Sequence, residues 1–223
     1  MKRIHSIRGI AVLLLCLALL TPVSGCGRRV ILTTGFGHNE LMRIGNTSCS
    51  AAEYRVYLLD MQKRCELLFG TGIWETPIGE SLDEMIREKA LSQSSRVKVV
   101  LLLAIQDNIM LTTAEESRAE EAAAYYLSHI TEEESGYLRI TEEELAKMFE
   151  EYQLAHKVYK SAGTGFEERF DSYTSTIDYD LNRKLFGSIG LLREGSVTGT
   201  PAFSQVFKQF FEVTSENDSA GDR

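Results

Sequence analysis

Five times the chain sets a Ser or Thr three residues ahead of a Glu at the head of a helix-periodic segment. The matches are Ser50-Ala51-Ala52-Glu53, Ser81-Leu82-Asp83-Glu84, Thr112-Thr113-Ala114-Glu115, Thr131-Glu132-Glu133-Glu134 and Thr141-Glu142-Glu143-Glu144. This is the capping-box pattern: the hydroxyl accepts from an exposed N–H of the first turn and the carboxylate reaches back to another. One match carries little weight. Five, each followed by apolar residues at helical spacing, commit the chain to a mainly α domain.

The spacing predicts a first helix over 51–68, with Tyr54, Tyr57, Leu58, Met61, Cys65 and Leu68 on one face. A second runs over 82–106 and ends in the apolar stretch Val97–Ile105. Asp107-Asn108-Ile109 reads as its cap, with Asn108 left-handed and Ile109 folding back. A third spans 113–129, with Ala119, Ala122, Ala123, Tyr126 and Ile130 facing inward. After a short turn at 132–137 comes a last long helix over 142–160, and Ser161–Gly165 reads as a linker. Shorter pieces follow: a helix over 166–175, a strand over 176–180, a helix within 181–190, a loop over 195–201 and an amphipathic helix over 202–212. The tail 213–223 reads as disordered. Ahead of the helices, Arg29–Thr33 and Leu41–Ile44 read as short strands, and Gly45-Asn46 as a turn. Glutamates gather at the helix starts, where they complement the helix dipole; no acidic loop has calcium-site spacing.

With 223 residues, the chain can build one globular domain but not two large ones. Its net charge is −8, and Lys2, Arg3 and Arg8 are the only charged residues among the first 25. Without that segment, 21 basic residues face 32 acidic ones, a net charge of −11. So acidic a surface argues against nucleic acid and against an electrostatic grip on anionic lipid. Cys16, Cys26, Cys49 and Cys65 show no zinc-type spacing. Cys49 and Cys65 lie 16 residues apart, roughly 24 Å along a helix, so no bridge between them is expected. No metalloprotease, nucleophile-elbow, phosphate-loop or dinucleotide motif is present, and His156 reads as a packing or surface residue. No cofactor, metal ligand or catalytic residue is assigned.

The N-terminus reads as an address. Three basic residues precede the 11-residue apolar run Ile10–Leu20, too short for a membrane span of roughly 20 residues. The run leads to Val23-Ser24-Gly25-Cys26, which resembles a bacterial lipobox. The resemblance implies cleavage after Gly25 and a diacylglyceryl group on Cys26, holding the protein on the extracytoplasmic face of the cell membrane.

The order of motifs is distinctive beyond this point. Ser50-Ala51-Ala52-Glu53-Tyr54-Arg55-Val56-Tyr57-Leu58-Leu59 is followed by Leu68-Phe69-Gly70 and Ile73-Trp74, then Asn108-Ile109-Met110-Leu111-Thr112, then Tyr152-Gln153-Leu154-Ala155-His156-Lys157-Val158-Tyr159. This resembles the SurA N-terminal-domain family, including PrsA-like foldase lipoproteins, over about 30–160 and more loosely over 166–212. The resemblance implies a helical chaperone domain with a few short strands. Its parts are a lipoprotein signal peptide (1–25), an N-terminal arm (26–49), a helical core (50–160), a return segment packing on the core (161–212) and the tail (213–223). Many relatives insert a parvulin-type prolyl isomerase after the last long helix. Here five residues stand at that point, and the 58 residues after Gly165 are too few for the module.

The implied function is that of a membrane-anchored chaperone or foldase that binds unfolded or secreted polypeptides. Two alternatives stay open: a prolyl isomerase with an unrecognised site, and an interaction lipoprotein that docks one partner. A chaperone needs an apolar or aromatic concavity, for which the candidate linings are Tyr54, Tyr57, Met61, Trp74, Tyr126, Phe149 and Tyr152. Each of them also suits a core position.

Overall fold

The computed structural model describes residues 35–193 and 199–212. The signal segment, Cys26, the strand expected at Arg29–Thr33, most of the loop expected at 195–201 and the tail from 213 lie outside the described residues.

The described chain opens with a hairpin, β1 (Glu40–Ile44) and β2 (Thr47–Ser50), antiparallel, with Ile44 opposite Thr47. The two-residue turn between them is Gly45-Asn46, with Gly45 at φ +55°, a conformation that suits glycine at the first turn position. The turn is where the sequence puts it, and the partner strand follows it. Thr47-Ser48-Cys49-Ser50 has no apolar run to mark it as a strand; pairing with β1 makes it one.

Ser50 ends β2 and caps α1 (Ala51–Phe69) through a complete capping box with Glu53. A short 3-10 turn, Thr71–Glu75, leads into α2 (Pro77–Gln106). This helix starts five residues ahead of the start that the Ser81 box predicts, at 82. Pro77 supplies the helical φ at the first position, and Thr76 precedes it in extended conformation. Ser81 and Glu84 are therefore interior surface residues. At the other end Asn108 adopts φ +54°, and Ile109 N–H returns to Ala104 O at 2.9 Å while Asn108 N–H returns to Ile105 O. That is the Schellman cap read from the sequence.

The helices α3 (Thr113–Ser128) and α5 (Glu142–Ala162) pack along each other, with Ala119, Ala122 and Ala123 buried at the close approach. Between them Thr131 caps a seven-residue helix, α4 (Glu132–Leu138), where a turn was expected; Arg139 at φ +51° ends it. The expected linker is also ordered: α5 continues to Ala162, breaks at Gly163 (φ +57°), and one 3-10 turn leads to α6 (Phe166–Thr174).

The return segment then closes the fold. β3 (Tyr179–Leu181) pairs antiparallel with β1, giving the sheet order β2-β1-β3. After α7 (Arg183–Ser188), the end of the described chain holds α8 (Phe203–Phe207) and a π-helical turn, Lys208–Glu212. Phe203, Val206, Phe207 and Phe211 are buried in the core. The protein is thus mainly helical with one small antiparallel sheet.

Candidate functional site

Where α1 ends and α2 begins, apolar side chains face water. Leu67, Leu68 and Phe69 are exposed by 60, 77 and 64%. Across the turn, Ile78 and Met85 on α2 are exposed by 68 and 51%. Single exposed leucines are ordinary, but four large apolar residues flanking one helix–turn–helix tip, with Met85 two turns further along α2, make it a candidate interaction surface.

The tip is apolar outward and tightly held inward. Gly70, at φ +77°, stops α1 and returns its N–H to Glu66 O. Trp74 Nε1 donates to Glu66 Oε1 at 2.8 Å, and Gln62 Nε2 donates to the same oxygen at 2.8 Å. Arg193 lies over the indole, 5.6 Å from the ring centroid, and pairs with Asp83 on α2. Gly79 permits the close approach of α2 to the turn: a Cβ there would stand 2.6 Å from Ile73 O.

Beneath the tip, α1 buries a polar row of Asp60, Gln62, Lys63 and Glu66. The return segment covers it and is held largely by its backbone. Gln62 donates to Leu192 O at 2.7 Å and accepts from Leu192 N–H at 3.0 Å, as a neighbouring strand would. Lys63 Nζ donates to Pro201 O and pairs with Glu134, both side chains being 1% exposed. Tyr137 Oη donates to Gly190 O, and Ser204 donates to Asp60 through both N–H and Oγ. Burial pushes the Asp60 carboxyl up, with the Ser204 hydrogen bonds opposing.

These contacts correct the expected aromatic lining. Tyr54, Tyr57, Tyr126 and Phe149 are interior, at most 3% exposed, so they line no surface in this structure. A concavity does form, and the chain fills it. Phe203 stacks on Phe149 at 4.4 Å between ring centroids and meets Tyr57 and Tyr152 edge-on. Phe186 likewise meets Tyr54 at 5.7 Å. Tyr126 lies deep, beside Lys63. Met61, Trp74 and Tyr152 are half-buried, and of these only Trp74 sits at the tip. Leu68, expected on the inner face of α1, and Ile105, expected in the buried end of α2, both face solvent. Leu67, Ile78 and Met85 were missed because a helical pattern that marks apolar faces does not say which face is left uncovered.

The remaining chemistry-bearing residues are absorbed in structure. Lys98, 3% exposed, bridges Glu53 and Glu151 at 3.0 and 2.5 Å. Cys49 and Cys65 are free buried thiols, and burial raises both. His156 meets Phe207 edge-on. Among the described residues no group of His, Cys, Asp and Glu is placed to hold a metal ion, and no helix is long and apolar enough to cross a membrane.

No family model, curated protein or solved structure matches the chain.

Proposed function

We propose that this chain is a membrane-anchored extracytoplasmic chaperone or foldase-like lipoprotein with a SurA N-terminal-like helical domain. Cys26 carries the lipid, and the protein acts by binding unfolded or secreted polypeptides rather than by isomerising them. The observation that carries this reading is the tip: four exposed apolar side chains, with Met85 two turns further along α2, on a base fixed by Glu66, Trp74 and Arg193. Such a surface offers apolar area to many sequences at little ordering cost, because the scaffold beneath it is already held. The net negative charge of the chain favours solubility of the loaded protein. The sequence resemblance and the lipobox-like Val23–Cys26 point to the same class and to the membrane face where secreted chains emerge.

The test is suppression of light scattering by an aggregating client whose folding does not depend on proline. The full chain suppresses scattering at or below equimolar ratio, and Leu68→Ser with Phe69→Ser abolishes suppression while leaving the fold intact. A wild type that fails at several-fold excess sinks the chaperone reading in favour of a docking lipoprotein. Acceleration of prolyl isomerisation by the same preparation moves the reading to an enzyme. Anchoring has its own readout: Cys26→Ser moves the protein from the membrane to the soluble fraction.

A further inference from the structure

We propose that the groove between the C-terminal end of α2 and the facing surfaces of α3 and α5 binds polypeptide segments in which Lys or Arg residues adjoin a short apolar run. The inference rests on the chaperone reading above and names the class of segment a second surface selects.

The groove has two chemically different halves. One is a hollow of about 470 Å³ whose apolar lining includes Ile105, Ile109, Met110 and Leu154. Ile105 and Met110 are 70 and 69% exposed, held out by the cap at Asn108 that turns the chain between α2 and α3. The other is a hollow of about 510 Å³ lined by Glu120, Glu142, Glu143 and Ala146. The halves adjoin at Lys147 and Glu150, which line both. Glu116 stands at the rim of the apolar half.

The carboxylates here have spare capacity. Glu115 and Glu151, their neighbours, are paired with Lys157 and Lys98. Among the described residues, Glu116, Glu120, Glu142, Glu143 and Glu150 have no ion-pair partner. Burial pushes the Glu150 carboxyl up, Glu116 and Glu120 push it further, and Lys147 offsets only part. An incoming ammonium or guanidinium relieves that crowding, and its methylene stem covers apolar surface on the way in. Apolar residues next to it in the ligand cover Ile105 and Met110, and methionine adapts to varied partners. Acidic segments are repelled, so the groove selects by sign as well as by apolar area. The tip lies some 27 residues away along α2, roughly 40 Å at the helical rise, so the two surfaces can be tested separately.

The experiment is fluorescence anisotropy of the full chain with a short labelled peptide that sets lysines beside leucines. Two control peptides replace the lysines by glutamates or the leucines by serines. The expected result is binding of the lysine–leucine peptide, at least about tenfold weaker binding of either control, and weakening on raising the salt. Glu116→Gln with Glu150→Gln, and separately Met110→Ser, weaken binding several-fold, whereas Leu68→Ser with Phe69→Ser leaves it unchanged. Equal binding of the glutamate peptide, indifference to the groove substitutions, or no binding at all overturns the proposal. A chain that suppresses client aggregation but shows any of these outcomes loses the groove and keeps the chaperone reading. One that binds the lysine peptide through the groove but suppresses no aggregation keeps the groove and loses that reading.

Discussion

Trp74 donates its indole N–H to Glu66 Oε1 at 2.8 Å, tying the turn after α1 back onto the helix it leaves. Glu66 is 5% exposed and also accepts from Gln62, which in turn holds the backbone of Leu192. One chain of hydrogen bonds therefore runs from the exposed tip to the return segment. Trp74 is the sole tryptophan of the chain, so its fluorescence reports on this linkage directly.

Glu66→Ala leaves the indole N–H without its acceptor and removes one of the two acceptors of the Gln62 amide, which keeps Leu192 O. The expected cost is about 1–3 kcal/mol, with Trp74 emission shifted to the red as the ring loosens. Emission spectra and urea titration check this. Unchanged emission means that Arg193 alone holds the ring.

The return segment packs into the core and is expected to unfold with it. Phe203→Ala removes the ring that Phe149, Tyr57 and Tyr152 surround, and should cost about 3–5 kcal/mol. Leu68→Ser, on the exposed tip, should stay within about 0.5 kcal/mol. The two denaturation midpoints are compared directly. Equal midpoints would mean that α8 docks without contributing to global stability.

Lys98→Met removes the cation between Glu53 and Glu151, each 12% exposed; Glu53 keeps its hydrogen bond from the Ser50 N–H, but Glu151 loses its ion-pair partner. Burial pushes Glu151 up and only Lys98 and neighbouring cations counter it. The expected loss is about 3–5 kcal/mol, and Glu151→Leu added to Lys98→Met recovers part of it, because the penalty lies in unpaired buried charge. A double variant no more stable than the single one contradicts this account.

Acid should loosen the α3–α5 pair through Glu115. Burial works to raise its carboxyl, but Lys157, the Thr112 N–H and Gln153 outweigh it and hold it at about 2. The folded value lies below the unfolded one, so the stabilisation is complete above the ordinary carboxylate range. It is lost as the pH falls from about 4.5 toward 2. At neutral pH it amounts to about 1–2 kcal/mol after allowing for solvent screening. Glu115→Gln should flatten the stability profile across that window, measured by denaturant titration at successive pH values.

Local signals in the sequence located most helix boundaries. The boxes at Ser50, Thr112, Thr131 and Thr141 all form, because at each a helix starts there and the hydroxyl and glutamate satisfy the exposed N–H groups of its first turn. The box at Ser81 fails because Thr76-Pro77 starts the same helix earlier, and a residue already inside a helix has no free N–H to cap.

The candidate site was legible as composition, less so as place. The aromatic residues that define a cavity are all in the sequence, and so are Phe186 and Phe203, but nothing local says that the latter fill the former. Those ring pairs join α1 and α5 to segments far along the chain, some 130 to 150 residues from α1. The polar row Asp60, Gln62, Lys63 and Glu66 is hidden for the same reason: charged side chains at helical spacing read as a solvated face until a distant backbone pairs with them.

By itself, then, the sequence determined the mainly α class, the caps and the left-handed Asn108, since each depends on neighbours within a few residues. Only the tertiary structure decided which apolar faces are spent. Burial is a property of what arrives from elsewhere in the chain. Phe203 closes the aromatic cavity, while nothing in the described chain covers Leu68, Phe69, Ile105 and Met110.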